Sequence, residues 1–375
     1  MPAATRRVVL AANSLWNIVN FRAGLIRGLK TAGYEPVVLA PADDKLNDRI
    51  QALGVRHVPV AVDRSGLNPV GDLKLLAAYR RALNELRPAA FLGFTIKPNI
   101  YGCMAARSLG IPAVANISGL GTVFIRSGPL LALVTALYRF ALARAVVFFQ
   151  NADDRALFLE RRMVRADQAR LIPGSGIDLS RYAPEPVPDG PVTFLLIARL
   201  LGDKGVREYA AAAKLLRPEL PDARFQLLGP LDHENRTAIA RSELDRWVAE
   251  GIIDYLGETD DVRPFIARAS AVVLPSYREG MPRSLLEGAA MGRPLVAANV
   301  PGCRELVTDG VNGYLCAVRD AGSLADQMRR MVQIASPERQ KMGDAARKRV
   351  QDEFSESVVI DAYLDVLGKL SAAES

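Results

Sequence analysis

The chain has 375 residues, half of them hydrophobic and 24% charged, with a formal net charge of +7. That length outgrows one simple core and predicts two domains, and the lack of any low-complexity tract excludes a disordered scaffold. Three cysteines that form neither a CxxC pair nor a disulfide framework fit a reducing compartment, and two histidines, His57 and His233, leave almost no room for a His-based metal site.

The opening MPAATRRVVLAANSLW is not a signal peptide, because its apolar run is too short; residues 6–13 read as a first strand running into a polar loop at 13–20. Residues 21–33 carry helical periodicity and stop at a Gly. EPVVLAP (35–41) is a second strand, 44–53 a helix closed by Gly54, and VRHVPVAV (55–62) a third strand. A helix over 70–86 ends at Arg87-Pro88. AAFLGF, IPAVANI and AVVFFQ are further buried strands. Short apolar strands alternating with helices predict a parallel sheet covered on both faces. The most lipid-like stretch, 129–149, is interrupted by Arg139 and Arg144 and falls short of the ~20 apolar residues a spanning helix needs. Peripheral membrane attachment remains open, with ordinary packing under the sheet as the other reading of this helix.

The pattern then restarts. Residues 172–190 hold PGSGID and several prolines and read as a linker. VTFLLIA, RFQLLG, IIDYLG, AVVLPS and PLVAA predict a second parallel sheet, and 355–370 a closing amphipathic helix. The expected organisation is α/β, with two doubly wound Rossmann-like domains at 1–175 and 176–354. A C-terminal helix in 355–375 returns toward the first domain. Two such sheets would turn their strand carboxyl ends to a shared cleft, where ligands of this architecture bind.

Charge is distributed unevenly. Residues 1–175 hold 23 Lys and Arg against 11 Asp and Glu, a balance of +12, while residues 176–375 hold 25 against 30, a balance of −5. The first half is thus expected to face something anionic: nucleic acid, a phosphate-bearing lipid, or only solvent. No helix-turn-helix, zinc or RNP pattern supports nucleic acid, which is not expected as a partner. A Rossmann dehydrogenase is also disfavoured, because the loop at 13–20 contains no Gly.

The densest motif is YREGMPRSLLEGAAMGRPLV, residues 277–296. Glu279-Gly280 follows a predicted strand, and Met281 precedes Pro282, which suits the first turn of a helix. The backbone amides of Arg283 and Ser284 would then form an anion site at the helix start. Glu287, deeper in the helix, is an acceptor suited to ribose hydroxyls. Two isolated Glu residues would be merely solvated; the whole string argues otherwise.

This string resembles the Glu-x7-Glu motif of the family-four retaining glycosyltransferases, which have the GT-B fold, and the resemblance covers nearly the whole chain. It implies that Arg199 and Lys204, in ARLLGDKG, neutralise the donor diphosphate, that Glu279 acts at the hexose, and that Glu287 holds the ribose. Gly176, in GSGID, resembles part of the family's P-N-G-V-D segment, and Gly257, in YLG, the segment that reads the nucleobase. The first half is similar to bacterial enzymes acting on undecaprenyl-diphosphate sugars, in particular the N,N'-diacetylbacillosaminyl-diphospho-undecaprenol alpha-1,3-N-acetylgalactosaminyltransferases. The similar segments are NSLWNIVNFRAGLIRGLK, SGLNP, FTIKPNIYG and SGLGTVFI. Arg22, Arg64, Lys97, Gly119 and Gly121 lie in or beside them and become the acceptor-side candidates.

The family's first-domain His has no counterpart at 94–99. The resemblance implies a UDP-sugar donor, a polyprenyl-diphosphate-linked acceptor, no cofactor and no metal. It also implies surface polysaccharide, lipopolysaccharide or glycan assembly at the cytoplasmic face of the inner membrane, with peripheral contact to anionic lipid. A UDP-sugar 2-epimerase of similar two-domain build is the alternative.

Overall fold

Short apolar runs in the first half each become a parallel strand, because only a sheet covered on both faces buries them. The computed structural model describes residues 6–63, 68–120, 129–232 and 235–372. Its contacts divide the chain into two units, Met1–Gly176 with Glu356–Ser375, and Ile177–Ser355.

The first unit contains β1 (Arg7–Ala11), β2 (Glu35–Ala40), β3 (Arg56–Pro59), β4 (Ala90–Gly93), β5 (Ala113–Ile117), β6 (Val146–Phe149) and β7 (Ala169–Leu171). They form one parallel sheet in the order β3-β2-β1-β4-β5-β6-β7. Its helices are α1 (Leu15–Phe21), α2 (Ala23–Thr31), α3 (Asn47–Ala52), α4 (Pro69–Leu86), α5 (Cys103–Ser108), α6 (Pro129–Ala141) and α7 (Ala152–Glu160). Successive side chains of β1 take opposite faces, as a pleated strand requires. Val9 and Ala11 join a core with α4, α5 and α6, and Val8 and Leu10 join one with α1, α2 and α3.

The structure corrects the reading of 13–20 as a loop. Ser14 caps a helix there by accepting the Asn17 amide at 3.2 Å. The expected helix over 21–33 is broken at Arg22, whose φ of −125° and ψ of 1° end α1 and start α2. β7 was also missed, being three residues at a sheet edge. Helix α6 packs Val134, Tyr138 and Ala141 into the core, as the packing alternative held, and exposes Leu133 and Phe140. Among the described residues no helix is long and apolar enough to cross a membrane.

The second unit contains β8 (Thr193–Ile197), β9 (Arg224–Leu228), β10 (Asp254–Tyr255), β11 (Ala271–Leu274), β12 (Leu295–Ala298) and β13 (Gly313–Cys316). Their order is β10-β9-β8-β11-β12-β13, all parallel. Helices α8 (Val206–Leu216), α9 (Arg241–Ala249), α10 (Arg263–Arg268), α11 (Arg283–Ala290), α12 (Ala321–Gln333) and α13 (Ser336–Glu353) complete it. β13 was not anticipated, because Gly313 and Tyr314 interrupt any apolar run.

Helix α14 (Glu356–Ala372) follows the second unit in sequence but belongs to the first. It buries Val359, Tyr363, Val366 and Leu367 in the core that holds α1, α2 and α3. Gly28 of α2 permits this approach, since a Cβ there would stand 2.5 Å from Ile360 Cγ2.

Candidate active site

In both sheets the strand order reverses direction once, between β1 and β4 in the first and between β8 and β11 in the second. Crevices open at the carboxyl ends of strands at such switch points. The motif residues of the second unit gather at the exits of β8 and β11.

After β8 the chain is anchored by Leu200 and Leu201, both buried, and by the Gly202 amide, which donates to Thr237 O at 2.7 Å. A tight turn, Gly202–Lys204, follows. Gly205 closes it at φ +73° with its α-carbon against the Pro275 carbonyl, where no side chain fits. The β11 exit is stitched to this turn. The Tyr277 amide donates to Asp203 O at 2.9 Å, and Ser276 Oγ lies 3.2 Å from the same carbonyl.

This stitching brings Lys204 Nζ to 2.5 Å from Glu279 Oε1, with Ser276 Oγ donating to that oxygen at 2.6 Å. The Glu279 amide is fixed by donation to Pro301 O at 3.2 Å. Below them Cys303 is fully buried, and burial, with the Glu279 carboxylate adding to it, pushes its thiol well up; it stays protonated and inert.

Arg199 stands apart from this group. Its side chain is more than half exposed and bonds Asp232 at 2.8 Å. The structure thus gives Arg199 and Lys204 separate carboxylate partners.

The helix start differs slightly from expectation. Pro282 is the residue before α11 rather than in its first turn, because its ψ of 116° is extended. No side chain caps the helix, and Leu286 is the first residue bonded back, to Pro282 O at 3.2 Å. The Ser284 amide therefore keeps the partial positive charge that attracts an anion. Gly280 is buried, and Met281 and Ser284 are partly exposed. Glu287 lies a turn into α11 and is 8% exposed. Its Oε1 accepts from Tyr182 Oη at 2.8 Å and from Arg283 Nε at 3.0 Å. Arg283 thus contributes a side chain, where only its amide was anticipated. Gly257, at φ +76°, offers its carbonyl to the Gly229 amide at 2.8 Å.

Gly176, at φ +70°, is the last residue of the first unit before the division. At that unit's switch point the Asn13 amide donates to Thr95 Oγ1 at 3.0 Å, joining the exits of β1 and β4. Lys97 follows in the β4 exit. Its Nζ is 2.8 Å from Asp72 Oδ1, in the first turn of α4, with side-chain exposures of 14% and 7%. A π-helical turn, Pro98–Gly102, carries Tyr101; burial, with the Asp72 carboxylate adding to it, pushes its phenol up to about 12. Lys97, expected as an acceptor-side residue, is half of a nearly buried ion pair.

Arg22, another acceptor-side candidate, is more deeply buried. It is 3% exposed, and its guanidinium carbon lies 4.3 Å from the centre of the Phe94 ring. Arg22 sits at the break in the expected helix over 21–33, between α1 and α2. Gly119, at φ +134°, follows β5. Arg64, Gly121 and His233 lie outside the described residues. His57 sits in β3 with Nε2 3.0 Å from Ala40 O. Among the described residues no cluster of three or more His, Cys, Asp or Glu could hold a metal ion.

Sequence reasoning missed Asp72, Tyr182 and Ser276. Only Ser276 had a readable signal, its place at a strand end three residues before Glu279.

The glycosyl transferases group 1 model matches residues 191–333, and the glycosyl transferase 4-like domain model matches residues 18–174. The N,N'-diacetylbacillosaminyl-diphospho-undecaprenol alpha-1,3-N-acetylgalactosaminyltransferase of Campylobacter jejuni is 26% identical, over 94% of this chain and 96% of its own length. The UDP-Gal:alpha-D-GlcNAc-diphosphoundecaprenol alpha-1,3-galactosyltransferase of Escherichia coli is 24% identical over 78% of this chain and 77% of its own. Among solved structures, Anabaena HepE in complex with UDP superposes with a TM-score of 0.78 at 20% identity, covering 97% of this chain and 99% of that one. With one glycosyltransferase domain model over each unit and a glycosyltransferase aligned along nearly its whole length, the chain belongs to the family-four glycosyltransferases, and its two parallel-sheet Rossmann-like domains are those of the GT-B fold.

Proposed function

We propose that this glycosyltransferase moves a hexosyl group, an N-acetylhexosamine with N-acetylgalactosamine favoured, from a UDP-sugar to an undecaprenyl-diphosphate-linked sugar, with retention at the anomeric carbon. The observation that carries it is the convergence of Lys204, Glu279 and the uncapped start of α11 at the switch point of the second sheet. A diphosphate seated there meets an ammonium and a helix dipole of matching sign. The acceptor class and the choice of sugar are supported by the names of the Campylobacter and Escherichia relatives.

In this reading the bond between the anomeric carbon and the β-phosphate oxygen breaks. The acceptor hydroxyl oxygen bonds the same carbon on the same face, and its proton passes to the departing phosphate oxygen. Little side-chain basicity is needed, and the protein's task is to position the partners and stabilise the charge that develops on UDP. Lys204 and Arg199 serve that charge, with no metal or cofactor, and Glu279 orients the hexose. The first unit receives the acceptor. Its excess of basic residues suits a diphosphate at the cytoplasmic face of an anionic inner membrane, where the protein would bind peripherally in surface-polysaccharide or glycan assembly.

The test is UDP release and product analysis with a panel of UDP-sugars and a polyprenyl-diphosphate-linked acceptor series, run with and without excess chelator. Chelator-insensitive UDP release that needs both an N-acetylhexosamine donor and a lipid-linked acceptor is expected. Interconversion of free UDP-sugars without acceptor would replace this reading with the epimerase alternative.

A further inference from the structure

Tyr182 lies in the proline-rich connection that opens the second unit, and only 4% of it is exposed. It is held from several sides. Its amide donates to Asp178 O at 3.2 Å, and its carbonyl accepts from Arg347 Nη1 at 2.7 Å. The same Nη1 donates to the carbonyl of Ala290, the last residue of α11, at 2.5 Å. The Arg283 guanidinium carbon is 5.8 Å from the centre of the ring. One cation from α13 and one from α11 therefore fix where the phenol sits.

So fixed, Tyr182 donates its hydroxyl to Glu287 Oε1 at 2.8 Å, and Arg283 Nε donates to the same oxygen at 3.0 Å. Two donors fill the ordinary capacity of one carboxylate oxygen. Among the described residues no donor bonds Oε2. The terminal torsion of a Glu side chain is broad and soft when nothing holds it. Here it is held, and the two oxygens of Glu287 are made inequivalent.

We infer that Tyr182 is a positioning residue for nucleotide recognition: its hydroxyl, with Arg283, locks Glu287 so that Oε2 is the oxygen offered to a ribose hydroxyl. The inference rests on the reading of Glu287 as the ribose ligand. Burial and the nearby carboxylate push the phenol up to about 12, so it remains a donor throughout the neutral range.

The test compares calorimetric affinities for UDP and for its 2′,3′-dideoxy analogue, which lacks the ribose hydroxyls, in the full-length protein. Wild type should prefer UDP, and Glu287→Ala should abolish the preference. Tyr182→Phe should shrink it by roughly tenfold while sparing the dideoxy analogue, in line with one hydrogen bond to a charged group. A variant that merely loosens the fold would weaken both ligands alike and leave their ratio unchanged, which would overturn the inference. An unchanged ratio in Tyr182→Phe beside a collapsed ratio in Glu287→Ala would overturn it too, yet leave the ribose reading standing. A wild-type ratio in Glu287→Ala would remove the ribose reading and the inference with it. Should Tyr182→Phe fold poorly, Arg283→Met removes the other donor to Oε1 and must lower the same ratio; if it does not, the lock is wrong.

Discussion

The ammonium of Lys204 and the carboxylate of Glu279 lie 2.5 Å apart and neutralise each other, although family resemblance gives them different parts of the donor. A diphosphate approaching Lys204 competes with Glu279 for it, so donor binding exchanges one ion pair for another. Lys204→Ala is expected to lower kcat on the order of a hundredfold, the usual cost of one group that stabilises developing charge. Glu279→Gln should lower transfer while leaving UDP affinity near wild type. Initial rates of the single and double variants should show strong non-additivity, as expected of groups in contact. Independent effects would mean that the pair has no part in donor binding.

Asp72 and Lys97 make a second prediction. Their contact is 2.8 Å, with 7% and 14% of the side chains exposed. Removing one partner of so dry a pair leaves a charge uncompensated, and Asp72→Asn should cost ~3 kcal/mol. Substituting both residues with Leu and Met should recover most of that loss. Chemical denaturation measures both, and wild-type stability in Asp72→Asn would show the pair to be ornamental. If Lys97 also serves the acceptor, Lys97→Met should raise acceptor KM without touching UDP affinity.

Arg293 predicts a purely structural effect. It is fully buried and donates to the carbonyls of Ile266 and Glu185 at 2.9 Å and of Ala267 at 3.1 Å. Burial lowers its guanidinium to about 10. Arg293→Ala strips three buried acceptors of their donor and opens a cavity, for a loss of ~3 kcal/mol or more. The denaturation midpoint should fall accordingly, while UDP affinity of the folded fraction stays near wild type. A midpoint within error of wild type would refute the argument.

Alkaline pH should weaken the fold. Burial, the largest cause in each case, raises the phenols of Tyr101, Tyr182, Tyr277 and Tyr363 to about 12. In the unfolded chain the same groups ionise near the ordinary tyrosine value of about 10. The folded state therefore holds these protons more tightly, so their stabilisation is complete below about pH 10 and is lost as pH rises toward about 12. Urea midpoints at about pH 9 and about pH 11 should differ in that direction, with phenolate absorbance appearing together with unfolding. A phenolate signal that rises fully before the fold is lost would contradict it.

What the sequence made legible was repetition and motif. VVLA, PVVLA and AVVL are apolar runs that only a covered parallel strand explains, and both sheets were readable from them. The Glu-x7-Glu string located the exit of β11 and the helix after it. Pairing was not legible. Lys97 and Asp72 are 25 residues apart, and only the packing of α4 beside the β4 exit makes them partners. The burial of Arg22 was not legible because one residue, Ser14, decides whether the segment before it is a loop or a helix, and so where the expected helix over 21–33 breaks. Arg293 stood beside Gly292 and Pro294 like any surface residue of a turn, and its three carbonyl acceptors come from parts of the chain with no shared pattern.

Helix α14 gives the first unit a late finish. Tyr363 lies 4.8 Å from Phe148 and 6.1 Å from Phe94 between ring centres, and its hydroxyl accepts from Asn116 Nδ2 at 2.9 Å. These partners sit on or beside β4, β5 and β6, made long before Tyr363 leaves the ribosome. During synthesis the second unit can close on itself while the first still shows an uncovered aromatic patch. A segment made only after the whole second unit then completes the domain that began first, so a chain cut before Glu356 would yield a finished second unit tethered to an unfinished first one.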